Sequence, residues 1–193
     1  MTNLSKRALF KNLGALASTA LVNTPTLAKA LPTEITRNMR DPMGVIAARS
    51  KLLFGASIST EALEDSAYGL LYKKETNIIT TDWALKFDNL RQTESAFDFT
   101  DADAILAFAR NNNLLMRGHT LIWNENLPAW LKSKSLTEIA KIFDQHIDTV
   151  AARYAGKLHS WDVVNEPFWP DHGQIMGLRD GPWLQALGPD YIA

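Results

Sequence analysis

From residue 52 onward the chain alternates short apolar runs with longer amphipathic ones. Residues 52–58, Leu-Leu-Phe-Gly-Ala-Ser-Ile, form a brief apolar run that predicts a buried strand. A helix is expected over about 61–75, and the β-branched stretch 77–83 predicts a second strand. Thr100, with Asp103 three residues on, predicts a capping box. The helix it opens runs to Arg110 with Ile105, Leu106, Phe108 and Ala109 as its apolar stripe, and Asn111-Asn-Asn113 ends it. Residues 114–123 predict a third strand with its exit turn. Ser135 and Glu138 predict a second capping box. Behind it Ile139, Ile142, Phe143, Ile147, Val150 and Tyr154 keep helical spacing until Gly156. Residues 158–166 predict a fourth strand that Pro167 stops, and a further helix is expected to start near Pro189.

Strands alternating with amphipathic helices predict an α/β fold built of βα units on a parallel sheet. Right-handed crossovers then bring every βα loop to the C-terminal edge of the strands. The polar residues collect there. Asp82 and Trp83 close the second strand, His119 and Trp123 the third, and Asn165 and Glu166 the fourth. In a parallel barrel that edge carries the active site. A glutamate facing an aromatic-lined mouth can be partly desolvated and act as a general acid, so Glu166 is the leading candidate; a solvated glutamate at a surface turn is the alternative. Trp161 inside its strand is expected in the core, whereas Trp83 and Trp123 could be core or a platform for a sugar ring. Arg117 shares parity with His119 and should lie deeper on the same face, buried and therefore in need of a carboxylate. Asp162, of the same parity as Glu166, is the expected partner. Residues 167–188, with Pro167, Pro170, Pro182 and four glycines, are expected to form a long loop belonging to a binding site.

The first thirty residues have a different character. Lys6, Arg7, Lys11 and Lys29 accompany no acidic residue, an apolar run spans 13–22, and Ala28-Lys29-Ala30 offers a small-residue cleavage site. That layout predicts an export signal over 1–30, with periplasmic or extracellular destination, and Ser5-Lys6-Arg7 with Lys11 resembles a twin-arginine signal with one arginine replaced. Residues 31–50 are expected to be an irregular lead-in, and 51–193 the barrel segment. Removing the signal's four cations leaves 16 basic against 21 acidic residues, a charge of −5, which speaks against a nucleic-acid partner. The 193 residues include no cysteine, which excludes disulfides and thiolate chemistry, and no run of about 18 apolar residues suits a membrane span. His119, His146, His159 and His172 lack the spacing of a helical zinc motif, so no metal is expected; His146 is expected at the surface or as a hydrogen-bonded core residue.

Three motifs occur in order: Arg117-Gly-His-Thr-Leu-Ile-Trp123, Asn126-Leu-Pro-Ala-Trp130 and Trp161-Asp-Val-Val-Asn-Glu166. With Phe97-Asp-Phe, Leu178-Arg-Asp180 and Leu187-Gly-Pro-Asp-Tyr-Ile192 they make the chain, from about Leu53 to its last residue, similar to glycoside hydrolase family 10, the endo-β-1,4-xylanases. The resemblance implies a (β/α)8 TIM barrel, here truncated to about the first four βα units, that cleaves β-1,4-xylosidic bonds of xylan or xylo-oligosaccharides with retention and without a cofactor. It implies that Glu166 is the acid/base, that Asn165 bonds the sugar 2-hydroxyl, that His119 and Trp123 line the reacting subsite, and that Lys86 contacts the neighbouring glycone sugar. The family usually has Glu-Asn where this chain has Asp82-Trp83, and a histidine where it has Asn124. The family's nucleophile glutamate sits on a later strand, and no such motif occurs here, so the sequence is expected to be the N-terminal half of a xylanase. A non-catalytic sugar-binding half-barrel and a related β-1,4-glucanase are the alternatives.

Overall fold

The computed structural model describes residues 41–193. Four parallel strands lie side by side in the order of the sequence: β1 (Gly55–Ile58), β2 (Ile78–Thr81), β3 (Leu115–Ile122) and β4 (Ser160–Val164). The register runs Ile58 to Thr81, Thr80 to Arg117 and His119 to Asp162, with an irregularity between His119 and Ile122. Because neighbours in the sheet are also neighbours in the chain and all strands run the same way, each helix crosses over one face and each strand ends at the same edge. The α/β alternation expected from the sequence is therefore present as four strands of a barrel wall.

The helices differ in detail from expectation. The lead-in is not irregular throughout: Met43–Arg49 forms α1, its Met43 N–H donating to Glu75 Oε2 at 2.9 Å and its Gly44 packed against the Asn77 side chain. The helix expected over 61–75 is two, α2 (Glu61–Glu64) and α3 (Ser66–Glu75). Asp65 causes the break, because its carboxylate accepts from the N–H groups of Ala67 and Tyr68 and caps the second helix. A short α4 (Phe87–Leu90) follows β2. The next helix, α5 (Thr100–Asn111), forms without the Thr100–Asp103 box: Asp98 accepts the Thr100 N–H at 2.9 Å, while Asp103 turns to Arg153 and the Tyr154 hydroxyl. The Ser135–Glu138 box is present and opens α6 (Leu136–Tyr154), and Gly156, at φ 68°, takes the chain out of it. The stretch 167–188 is not one loop, since α7 (Pro182–Leu187) starts at Pro182, and only a 3₁₀ turn occupies Pro189–Ile192.

The core lies between the sheet and α5, α6 and α7, where Ile79, Met116, Ile105, Ala109, Val150, Tyr154 and Trp183 are almost fully buried. Burial of such apolar surface is what holds the helices on the sheet. Two expectations fail at this level. The residues leading into β1 are not buried: Leu52 and Leu53 are exposed, as are Gly55, Ala56 and Ser57, because β1 is an edge strand paired on one side only. His146 is neither at the surface nor a hydrogen-bonded core residue. It is fully buried on α6 and stacked 4.1 Å from Phe87, and the Leu121 carbonyl is close enough to favour a proton on the ring, yet neither ring nitrogen reaches a partner in hydrogen-bond geometry. Trp161 is core-facing as expected. Its ring fills the space where Gly118 lacks a side chain, and its edge meets Tyr154 at 6.2 Å. Among the described residues no helix is long and apolar enough to cross a membrane, and no cluster of three His, Cys, Asp or Glu residues is placed to hold a metal. The expected export signal lies outside the described residues.

Candidate active site

The parallel topology brings the ends of β2, β3 and β4 to one edge, and the residues expected there are found there. Just inside it, on the sheet face opposite to Trp161, Arg117 donates through Nε to Asp162 Oδ2 at 3.1 Å and through its terminal nitrogen to Oδ1. The same Oδ2 meets His119 Nδ1 at 3.0 Å. A carboxylate accepting at Nδ1 sets the imidazole with Nε2 pointing away from the protein acceptor. Burial would raise the Asp162 pKa, but the hydrogen bonds from Arg117 and His119 outweigh it and hold the carboxyl below the usual carboxylate range. The pairing expected from strand parity is therefore present. The expected burial of Arg117 is not: its side chain is about half exposed, since the face it occupies is open above a four-stranded sheet. The backbone of His119 is fixed from the other side, where the Thr81 hydroxyl accepts its N–H at 3.1 Å and donates to its carbonyl at 2.9 Å. The His119–Thr120 peptide is cis.

Glu166 stands two residues past β4 in the left-handed region, at φ 49°. Its Oε2 accepts from Trp123 Nε1 at 2.8 Å and from Arg179 Nη1 at 3.0 Å, and Oε1 has no donor among the described residues. The side chain is 51% exposed, so the desolvation expected from an aromatic mouth is not found; Trp123 flanks it on one side and Arg179 brings a charge on the other. Trp123 is itself fixed, because its carbonyl accepts from the buried Trp183 indole at 2.7 Å. Beside it Lys86 is buried, with its ammonium 4.9 Å from the Trp123 ring centroid and 3.8 Å from that of Trp83. The Lys86 ammonium makes no hydrogen bond or ion pair among the described residues, and neither do the side chains of Asn165 and Asp82. Glu166, Trp123, Lys86 and Trp83 thus form a continuous row along the strand ends. Asp82 begins the loop at one end of it.

Such a row offers a carboxyl with a free oxygen, a donor ammonium without an acceptor, and indole surfaces suited to the apolar face of a sugar. Glycosyl hydrolase family 10 is the family whose model the sequence matches, over residues 44–193. The chain belongs to that family. It is 34% identical over 146 residues to endo-1,4-beta-xylanase 2 of Claviceps purpurea, covering 75% of this chain and 44% of the relative. Endo-1,4-beta-xylanase A of Caldicellulosiruptor sp. (strain Rt8B.4) is 35% identical over 150 residues, or 72% of this chain and 22% of that one. Xylanase 10B from Thermotoga petrophila RKU-1, solved in complex with xylobiose, superposes with a TM-score of 0.71 at 29% identity, covering 78% of this chain and 46% of that structure. Xylanase B from Clostridium stercorarium F9 gives 0.69 at 32% identity, covering 78% and 49%. The chain spans less than half the length of these relatives, and its four βα units are about half of a family 10 barrel.

The sequence did not point to Arg179. It is almost buried, stacks 4.9 Å from Trp169, and bridges Glu166 to Glu125. The motif Leu178-Arg-Asp180 was the available signal, but its position thirteen residues after Glu166, beyond two 3₁₀ turns, hides the contact. Trp183 and Thr81, which hold the backbones of Trp123 and His119, also carried no sequence signal of that role.

Proposed function

We propose that this chain supplies the acid/base half of a retaining endo-1,4-β-xylanase acting on xylan or xylo-oligosaccharides. The observation that carries the reading is the anchoring of Glu166: one oxygen is held by Trp123 and Arg179, and the other is free to carry a proton at the open edge. In the first step that proton passes to the glycosidic oxygen as the C1–O bond breaks and a second carboxylate takes the sugar. In the second step Glu166 removes a proton from the water that displaces the carboxylate. Asn165 and Lys86, whose side chains make no hydrogen bond among the described residues, donate to sugar hydroxyls, while His119 and Trp123 wall the reacting subsite. Asp82 and Trp83 receive the next sugar on the glycone side. The second carboxylate has to lie about 5–5.5 Å from Glu166 and comes from the strands that complete the barrel.

The basic, apolar and small-residue order of residues 1–30 supports export of the protein, to the periplasm or beyond. The names of the relatives support xylan over other β-1,4-glycans.

The test is leaving-group dependence in a polypeptide joining this chain to the remaining strands of a family 10 barrel. Glu166→Ala should slow xylan hydrolysis by about 10²–10⁴-fold. It should spare the glycosylation step for aryl xylosides whose leaving group needs no proton. Equal loss on both substrates, or none, would remove the acid/base assignment.

A further inference from the structure

The row from Glu166 does not stop at Trp83. Half of the Trp83 surface is exposed, and the residue also lines a cavity of about 490 Å³, a size common to small-ligand sites (~300–1,000 Å³). Glu61, Asp88, Asn89, Gln92 and Asp101 line the same cavity, and among the described residues no lysine, arginine or histidine does. None of the three carboxylates has an ion-pair partner among the described residues. Glu61 accepts from the Ser59 hydroxyl, which, with its own backbone N–H, holds it below the usual carboxylate range and keeps it charged. A nearby cation, Lys86, is only 7% exposed and holds its ammonium against the Trp83 ring, and that ammonium makes no hydrogen bond among the described residues. Lys86 is not among the lining residues, and it touches the lining through the Trp83 ring. The cavity therefore combines an indole platform, two amides that donate and accept, and three carboxylates against the one Lys86 ammonium on the Trp83 ring.

We propose that the Trp83 cavity is a selecting subsite that takes an uncharged sugar unit of the glycan and rejects a uronic acid. The proposal rests on the reading of the Glu166 row as a xylan site. A neutral ring can stack on Trp83 and give its hydroxyls to Glu61, Asp88 and Asp101 as donors. A uronate would bring a fourth carboxylate to three that already outnumber the one ammonium on the Trp83 ring, and rejection by like charge is a source of specificity in its own right. The unit could be the next residue of the main chain or a neutral branch on it; both share the same chemistry.

The experiment titrates the 193-residue chain with four probes: linear xylotriose, linear xylotetraose, xylotriose with a neutral pentose branch, and xylotriose with a glucuronic acid branch. Ligand-observed NMR reads the binding. The neutral-branched triose or the tetraose should bind about tenfold or more tighter than the uronate-bearing triose, a gap that narrows as salt rises. A gain shown by the tetraose assigns the subsite to the main chain, and a gain shown only by the branched triose assigns it to a branch. Trp83→Ala, checked for retained fold by circular dichroism, should abolish the gain. Asp88→Asn with Asp101→Asn should raise uronate binding several-fold. Equal binding of neutral and uronate-bearing ligands overturns the proposal even if linear xylotriose binds. Absence of binding by every oligosaccharide to the folded chain overturns the underlying reading of the row, and this inference with it.

Discussion

His146 carries a pH dependence that can be calculated from its surroundings. The ring is fully buried, stacked on Phe87, and close to the buried guanidinium of Arg91; burial first and the Arg91 charge second push its pKa down to about 3 from 6.5. The unfolded chain therefore binds a proton that the folded chain refuses, and stability falls as the pH drops from 6.5 toward 3. Between pH 7 and pH 5 the loss from this one residue is about 2 kcal/mol, and it changes little for any folded value below about 4. The perturbation is His146→Phe, which keeps an aromatic ring against Phe87 and removes the two unpartnered nitrogens. Replacing a buried polar group without partners by an apolar one of like shape costs little. Urea unfolding at both pH values measures the difference. The native chain should lose about 2 kcal/mol more than the variant on acidification. Parallel losses would show that the ring is either protonated when folded or not buried as described.

Further outcomes follow from the packing and the ion pairs. A Cβ at Gly118 would sit 2.3 Å from the Trp161 ring, so Gly118→Ala should lower stability by about 1–3 kcal/mol or more, read as a fall in Tm. Asp103 joins α5 to α6 through Arg153 and the Tyr154 hydroxyl, and the Arg153 hydrogen bond is the largest cause holding it below the usual carboxylate range. Asp103→Asn should cost about 1 kcal/mol at pH 7, discounted for its half-exposed ion pair. Because the depressed carboxylate contributes above its unfolded pKa and loses that contribution in acid, the difference between the two proteins should shrink as the pH falls below about 4. A constant difference across that window would mean that the charge is irrelevant. The 193-residue chain alone should not hydrolyse an aryl β-xyloside with retention, and turnover abolished by Glu166→Gln would refute that.

How much of this was legible in the sequence depended on how local each cause was. The Ser135–Glu138 box needs only residues three apart, and it is present. The Arg117–Asp162 pair is 45 residues apart but follows from strand parity once a parallel sheet is assumed. The Thr100–Asp103 box has the same spacing as the first box yet is absent, because Arg153 and Tyr154, 50 and 51 residues away, compete for the carboxylate. Asp65 divides a helix that periodicity alone would run through. Arg179 reaches Glu166 only because the chain between them turns twice, with left-handed residues at Gly173, Met176 and Gly177. The exposure of Arg117, Glu166 and β1 has a different origin: burial depends on how many strands surround a residue, which no local pattern states.

In the proposed function, Lys86, His119, Trp123, Asn165 and Glu166 form one sugar-binding surface at the C-terminal ends of the strands. Mapping amide and side-chain NMR shifts of the chain during titration with xylotriose tests it most directly. The changes should concentrate on those five residues and on Trp83, and should weaken when Trp123 is replaced by alanine. Changes confined to the opposite edge, around Leu115 and His159, would contradict it.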